Sequence, residues 1–141
     1  MSRIVVGVDG SEHASRALRW AAEDARRRGA ELEVVHAVPI PINLADPILL
    51  PPPSEHDLRK AGQQVIAEAL AEVSVEDLVV ERTVTTGQAA SALCDAARGA
   101  ELLVVGSRGL GGFKGLLVGS VTHQVIAHAP CPVLVVVPET R

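Results

Sequence analysis

Between Gly106 and Thr122 the chain reads GSRGLGGFKGLLVGSVT: six glycines, the basic residues Arg108 and Lys114, and no acid. Gly109 follows Gly106 after two residues, and Gly119 with Ser120 follows after nine more. Glycine lets the backbone take positive φ and come close to a ligand. Successive amides can then form a concavity that holds an anion. A helix beginning near Ser120 would add amides without intrahelical partners and a partial positive charge. Such an assembly suits a phosphate group, and Ser120 can add a hydroxyl. Arg108 and Lys114 carry charge that can reach phosphate oxygens, although for Lys114 a solvated loop position is an equal reading. Two familiar phosphate motifs fail in detail. The P-loop places Lys directly before Ser or Thr at a helix start, whereas Lys114 lies between Phe113 and Gly115; a G-x-G-x-x-G run begun at Gly109 would need glycine at position 114.

The flanking elements must position this segment. RIVVGV is a short run rich in β-branched residues, and Ser11 can cap a helix from there to about Arg28, with Ala14, Ala17, Leu18, Ala21 and Ala25 on one face and Gly29 as its stop. Trp20 lies off that face, where packing at the helix flank is its expected role. ELEVVHAV predicts a second strand. The following PIPINLADPILLPPP carries six of the nine prolines, which predicts an irregular crossover, either packed on the end of the sheet or on a partner, or serving as a lid. Ser54 should start a helix reaching about Val73, with Leu58, Ala61, Val65, Ala69 and Val73 in phase and Gly62 as a weak point. A third strand falls within VEDLVVERTVTTG. A helix with Ala89, Leu93 and Ala96 or Ala97 inward follows. ELLVVG is a fourth strand, a final helix runs from about Ser120 to Ala129, and PVLVVV is a fifth strand. Strands alternating with helices imply parallel pairing, and their near-continuous apolar character implies a sheet covered on both faces. The expected architecture is a doubly wound α/β domain, and ligands in such sheets bind beyond the carboxyl ends of the strands where the winding reverses.

Composition narrows the function. At 141 residues one domain, spanning residues 1–141, is expected, with one Phe, one Trp and no Tyr. A surface this poor in aromatics lacks the stacking platforms of single-strand nucleic-acid readers, and a formal charge of −4 gives no basic field for DNA or an anionic membrane. The expected partners therefore exclude nucleic acid and membrane. The opening residues do not read as a signal peptide, and the two cysteines, Cys94 and Cys131, form no C-x-x-C pair, so free thiols in a reducing cytoplasm are expected. Cys131 reads best as a small buried filler.

The spacing G-x2-G-x9-G-[ST] resembles the nucleotide signature of the universal stress proteins, in their ATP-binding branch. IVVGVDGSEHASRALRWA, ELEVVHAV and APCPVLVVV resemble other parts of the same family. The resemblance implies a five-stranded parallel sheet in the order 3-2-1-4-5, helices on both faces, and an adenine nucleotide alpha hydrolase-like fold. It implies ATP as the ligand, with Mg²⁺ or Mn²⁺ on its phosphates, and AMP or cyclic AMP as alternatives. Asp9 matches the acidic position at the ribose, where a carboxylate can accept from hydroxyls. Ala37 matches the position whose backbone meets adenine, usually a valine. Val105 and Gly106 match positions lining the ribose and adenine, and Gly109, Gly119, Ser120 and Val121 match phosphate contacts. A stress-response regulatory module is the expected function. The alternatives are a slow ATP hydrolase or phosphotransferase and a sensor of AMP or cyclic AMP. The glycine segment holds no acid to bind metal for phosphoryl transfer, so any hydrolysis should be very slow. In that strand order PVLVVV is an uncharged edge, which predicts a homodimer through residues 132–137.

Overall fold

The structure, a computed structural model, describes residues 2–39, 53–108 and 118–138. The elements run β1 (Arg3–Gly7), α1 (Glu12–Arg28), β2 (Glu31–Val38), α2 (Glu55–Ala71), β3 (Val80–Thr86), α3 (Ala89–Ala96), β4 (Leu102–Gly106), α4 (Ser120–His128) and β5 (Val133–Val136). All four strand pairings are parallel and the order is β3-β2-β1-β4-β5. The proline crossover of residues 40–52 and the glycines from Gly109 to Gly115 lie outside the described residues.

Alternation along the strands divides the core in two. Ile4, Val6 and Val8 of the β1 segment join Leu32, Val34 and Val104 beneath α1 and α2. Val5, Val35, Leu103 and Val105 face the other way, toward Leu93 and Ala97 at α3 and Val125 of α4. Helix α1 buries the expected alanines and Leu18, together with Ala22. Ser11 Oγ accepts the Ala14 amide at its start, and Gly29 closes it in the left-handed conformation, φ 64°. Trp20 is exposed.

Helix α2 differs from its sequence-based face. Gly62, Ile66, Ala69 and Leu70 point inward, while Ala61 is exposed and Val65 only half-buried. A Cβ at Gly62 would stand 2.5 Å from Val84 Cγ1 and 3.0 Å from Val38 Cγ2. The glycine is therefore what lets α2 sit down on β2 and β3. The helix propensity that alanine would add, about 1 kcal/mol, is offset by overpacking of about 1–3 kcal/mol.

Candidate functional site

The winding reverses between β1 and β4, which pair as Ile4↔Leu102 and Val6↔Val104. Their carboxyl ends lead into Asp9 and Ser107. Val8 extends β1 by donating its N–H to the Val35 carbonyl at 2.9 Å. Its own carbonyl lies 2.7 Å from His36 Nδ1. A carbonyl only accepts, so Nδ1 carries the proton. Asp9 follows, half-buried, with Oδ1 accepting the Ser11 amide at 2.9 Å. Gly10, at φ 87°, supplies the left-handed residue that turns the chain into α1. Since Gly7 pairs with Val35, Ala37 lies further along β2 at the same edge of the sheet as Asp9.

Three contacts fix the other wall. Ser107 donates its N–H to the Val136 carbonyl at 3.0 Å, and its own carbonyl accepts the Gly119 amide at 2.7 Å. Thr122 Oγ1 donates to the Gly106 carbonyl at 2.6 Å. Together these seat the first turn of α4 over the exit of β4. Gly119 is the N-cap, with φ −74° and ψ 166°, and no side chain among the described residues caps the helix. Extended backbone of this kind suits any residue, so Gly119 contributes smallness there and not a left-handed turn. Ser120 and Val121, the first two helical residues, are exposed.

Gly106 has a role that its spacing alone did not reveal. A Cβ there would stand 2.9 Å from the His13 carbonyl oxygen, which is backbone. The absent side chain makes room for the first turn of α1. Val105 is 4% exposed and packs in the core beneath α3 and α4, so its side chain supports the edge from below.

Among the described residues three side-chain atoms are buried without a hydrogen-bond partner: Ser107 Oγ, Arg108 Nε and Arg16 Nη1. Native interiors leave few such atoms, and each one asks for a ligand or an ordered water. Two of them are guanidinium donors, and Ser107 and Arg108 lie at the β4 exit itself. With the uncapped amides of α4 they form a donor-rich set, which fits the oxygens of a phosphate-bearing ligand. The structure thus brings Asp9, Ala37, Val105, Gly106, Arg108, Gly119, Ser120 and Val121 to one end of the sheet; Gly109 and Lys114 lie outside the described residues. His36, Thr122, Ser107 and Arg16 were not picked out from the sequence. Thr122 had a faint signal in its place one turn after Gly119, while the others had none.

Elsewhere the chemistry is plain. Cys94 and Cys131 are free and half-buried. Burial pushes both thiols up, and for Cys131 the nearness of Cys94 adds to the effect. Thiols held protonated suit the filler role. Among the described residues no three His, Cys, Asp or Glu side chains gather to hold a metal ion, and no helix is long and apolar enough to cross a membrane.

Fold and site together define a doubly wound α/β domain with a donor-lined corner at its point of reversal. The sequence model of the universal stress protein family matches residues 1–137, and the chain belongs to that family. It is 41% identical over 141 residues to a universal stress protein of Thermus aquaticus, covering 94% of this chain and 96% of that one. It spans 45% of a universal stress protein of Mycolicibacterium smegmatis, to which it is 37% identical over 139 residues, with 96% of this chain covered. Among solved structures it is similar to a universal stress protein in complex with cAMP, at 28% identity and a TM-score of 0.66, covering 98% of each chain. It is also similar to the universal stress protein of Archaeoglobus fulgidus in complex with dAMP, at 28% identity and a TM-score of 0.70, covering 96% of this chain and 97% of the other.

Proposed function

We propose that this chain is an adenine-nucleotide-binding regulatory module of a cytoplasmic stress response, with ATP as its ligand. The observation that carries the reading is the first turn of α4, which starts at the N-cap Gly119 and is pinned to the exit of β4 beside Asp9. Solved relatives bound to cAMP and dAMP support the choice of an adenine nucleotide. In this reading Asp9 accepts from the ribose hydroxyls and the backbone of Ala37 meets the adenine edge. Val105 and Gly106 form the floor. Gly109, Ser120 and Val121 donate to the phosphates, Gly119, its own amide held by Ser107, contacts them through its bare Cα, Arg108 adds charge, and Mg²⁺ or Mn²⁺ enters with the phosphates. The module binds and signals; hydrolysis is very slow or absent. Calorimetry with ATP, ADP, AMP and cyclic AMP tests the reading. Binding of at least one of them, with ATP tightest, is expected, and heat from none would end the proposal.

The signal passes, in this reading, through a homodimer formed along residues 132–137. Strand β5 is an edge of the sheet, Val133, Leu134 and Val135 are half-buried, and Val137 is 59% exposed. An uncharged, unprotected edge of this kind tends to pair. Val135→Lys should shift sedimentation to the monomer; a variant that stays dimeric would place the interface elsewhere.

A further inference from the structure

The nucleotide reading assigns ligand contacts, but it leaves unexplained how the two halves of the corner keep their places. Two buried or half-buried side chains that touch no proposed ligand atom stand out. His36 Nδ1–H holds the Val8 carbonyl at 2.7 Å, one residue before Asp9. Thr122 Oγ1 holds the Gly106 carbonyl at 2.6 Å, from within the first turn of α4, and is 4% exposed. Each bond spans elements far apart in sequence, and each engages the carbonyl at the end of one of the two strands that flank the reversal.

We infer that His36 and Thr122 are positioning residues, each a clamp on one strand end that sets one half of the nucleotide site independently of the other. The inference rests on the nucleotide reading for what the halves hold. The geometry of the clamps rests on the bonds themselves. His36 fixes the peptide that delivers Asp9, and so governs the ribose side. The Val8 N–H is already committed to Val35, so the clamp on its carbonyl fixes the residue at both of its peptide bonds. Thr122 fixes the start of α4, and so governs the phosphate side. Gly119 is tied to Ser107 by a single bond at 2.7 Å; Thr122 supplies the second tie that keeps this turn from swinging about the first.

Independence gives a crossed pattern. Thr122→Val keeps the shape and removes the donor; it should weaken AMP roughly tenfold, the worth of one hydrogen bond's preorganisation, and leave adenosine unchanged. His36→Leu should weaken AMP and adenosine by a similar factor. Thr122→Ser and His36→Asn each keep a donor at the same place and should restore most of the loss. A merely structural role would predict equal losses for both ligands in both variants, and no rescue.

The test is calorimetry of AMP and adenosine on wild type and the four variants, paired with hydrogen exchange of the ligand-free proteins. In the exchange measurement Thr122→Val should speed the hydrogen-bonded amides of Gly119 and His123 while sparing those of Val8 and Ser11, and His36→Leu should do the reverse. Exchange that rises at both sites together, or at neither, overturns the clamps, as does equal loss of AMP and adenosine in Thr122→Val. If wild type binds neither ligand and also fails to bind ATP, ADP and cyclic AMP, the nucleotide reading falls, while the exchange pattern still decides the clamps. If a variant fails to fold, its conservative partner at the same position supplies the exchange comparison with wild type, which should be unchanged.

Discussion

The two ends of the sheet are finished in opposite ways. At the amino ends of the strands, polar groups are closed on one another. Arg3 donates from Nη1 to Glu33 at 2.6 Å and to the Ala96 carbonyl at 2.6 Å, and from Nη2 to the Arg98 carbonyl at 2.8 Å. Glu33, 8% exposed, accepts a further bond from Thr83 Oγ1 at 2.8 Å. Arg28 pairs with Glu101, and Arg26 with Asp77 and the Ser74 carbonyl. At the carboxyl ends, among the described residues, Ser107 Oγ and Arg108 Nε are buried without partners, and α4 starts without a side-chain cap. An absent cap alone would mean little, because α3 also starts without one. What distinguishes α4 is the company of unpaired donors at the strand that borders the reversal. One end is finished by the protein; the other, in the proposed reading, is finished by a ligand.

Substitutions can break that contrast, and the largest effect should come at Gly119. Gly119→Val adds a side chain at the mouth of α4 without straining the extended backbone there. Nucleotide affinity should fall more than about a hundredfold, roughly 2.7 kcal/mol, while the melting temperature changes little. Calorimetry beside thermal denaturation separates the two outcomes. Next is Arg3→Met at the closed end. It removes three hydrogen bonds and leaves the Glu33 carboxylate largely buried, a cost of about 2–3 kcal/mol of stability. Urea unfolding should register it, and nucleotide affinity of the folded protein should stay as it was. If Arg3→Met weakened binding as much as Gly119→Val, the division between the ends would be false.

Gly106→Ala sharpens the comparison. Its new Cβ meets the His13 backbone, so the variant should lose about 1–3 kcal/mol of stability and less affinity than Gly119→Val. The smallest effect belongs to the exposed carboxylates at the closed end. Hydrogen bonds from Arg26 to Asp77 and from Arg28 to Glu101 hold both carboxyl groups below their ordinary values. A carboxylate whose folded value is depressed stabilises fully above its unfolded value, near pH 4, and its contribution is lost as the pH falls through the lower folded value. Asp77→Asn should therefore lower stability slightly at neutral pH and converge with wild type in strong acid. Solvent screening keeps this contribution small.

Much of this was legible in the residues themselves. The face of α1 is unambiguous because small apolar residues recur at helical spacing between a serine cap and Gly29. The five strands are legible because each is a short run rich in β-branched and other apolar residues. The face of α2 was shifted because valine and isoleucine are adjacent at positions 65 and 66 and glycine counts as a helix weakness, when Gly62 is the point of contact with β3. The glycine spacing identified α4 and its cap, but it could not separate Gly106, which makes room for α1, from Gly119, which makes room at the helix mouth. His36 and Thr122 stayed hidden for a physical reason. Their partners are backbone carbonyls, 28 and 16 residues away, and a carbonyl has no letter in a sequence.

The central claim is that the carboxyl end of the sheet is completed by an adenine nucleotide. The most direct measurement is a crystal structure grown with excess ATP. Phosphate oxygens should lie within hydrogen-bond distance of the Ser120 and Val121 amides, with the adenine beside Ala37. A nucleotide seated instead at the opposite end, in the depression of about 280 Å³ lined by Arg26, Glu31 and Val79, or no nucleotide at all with the α4 amides bonded by the protein's own side chains, would contradict it.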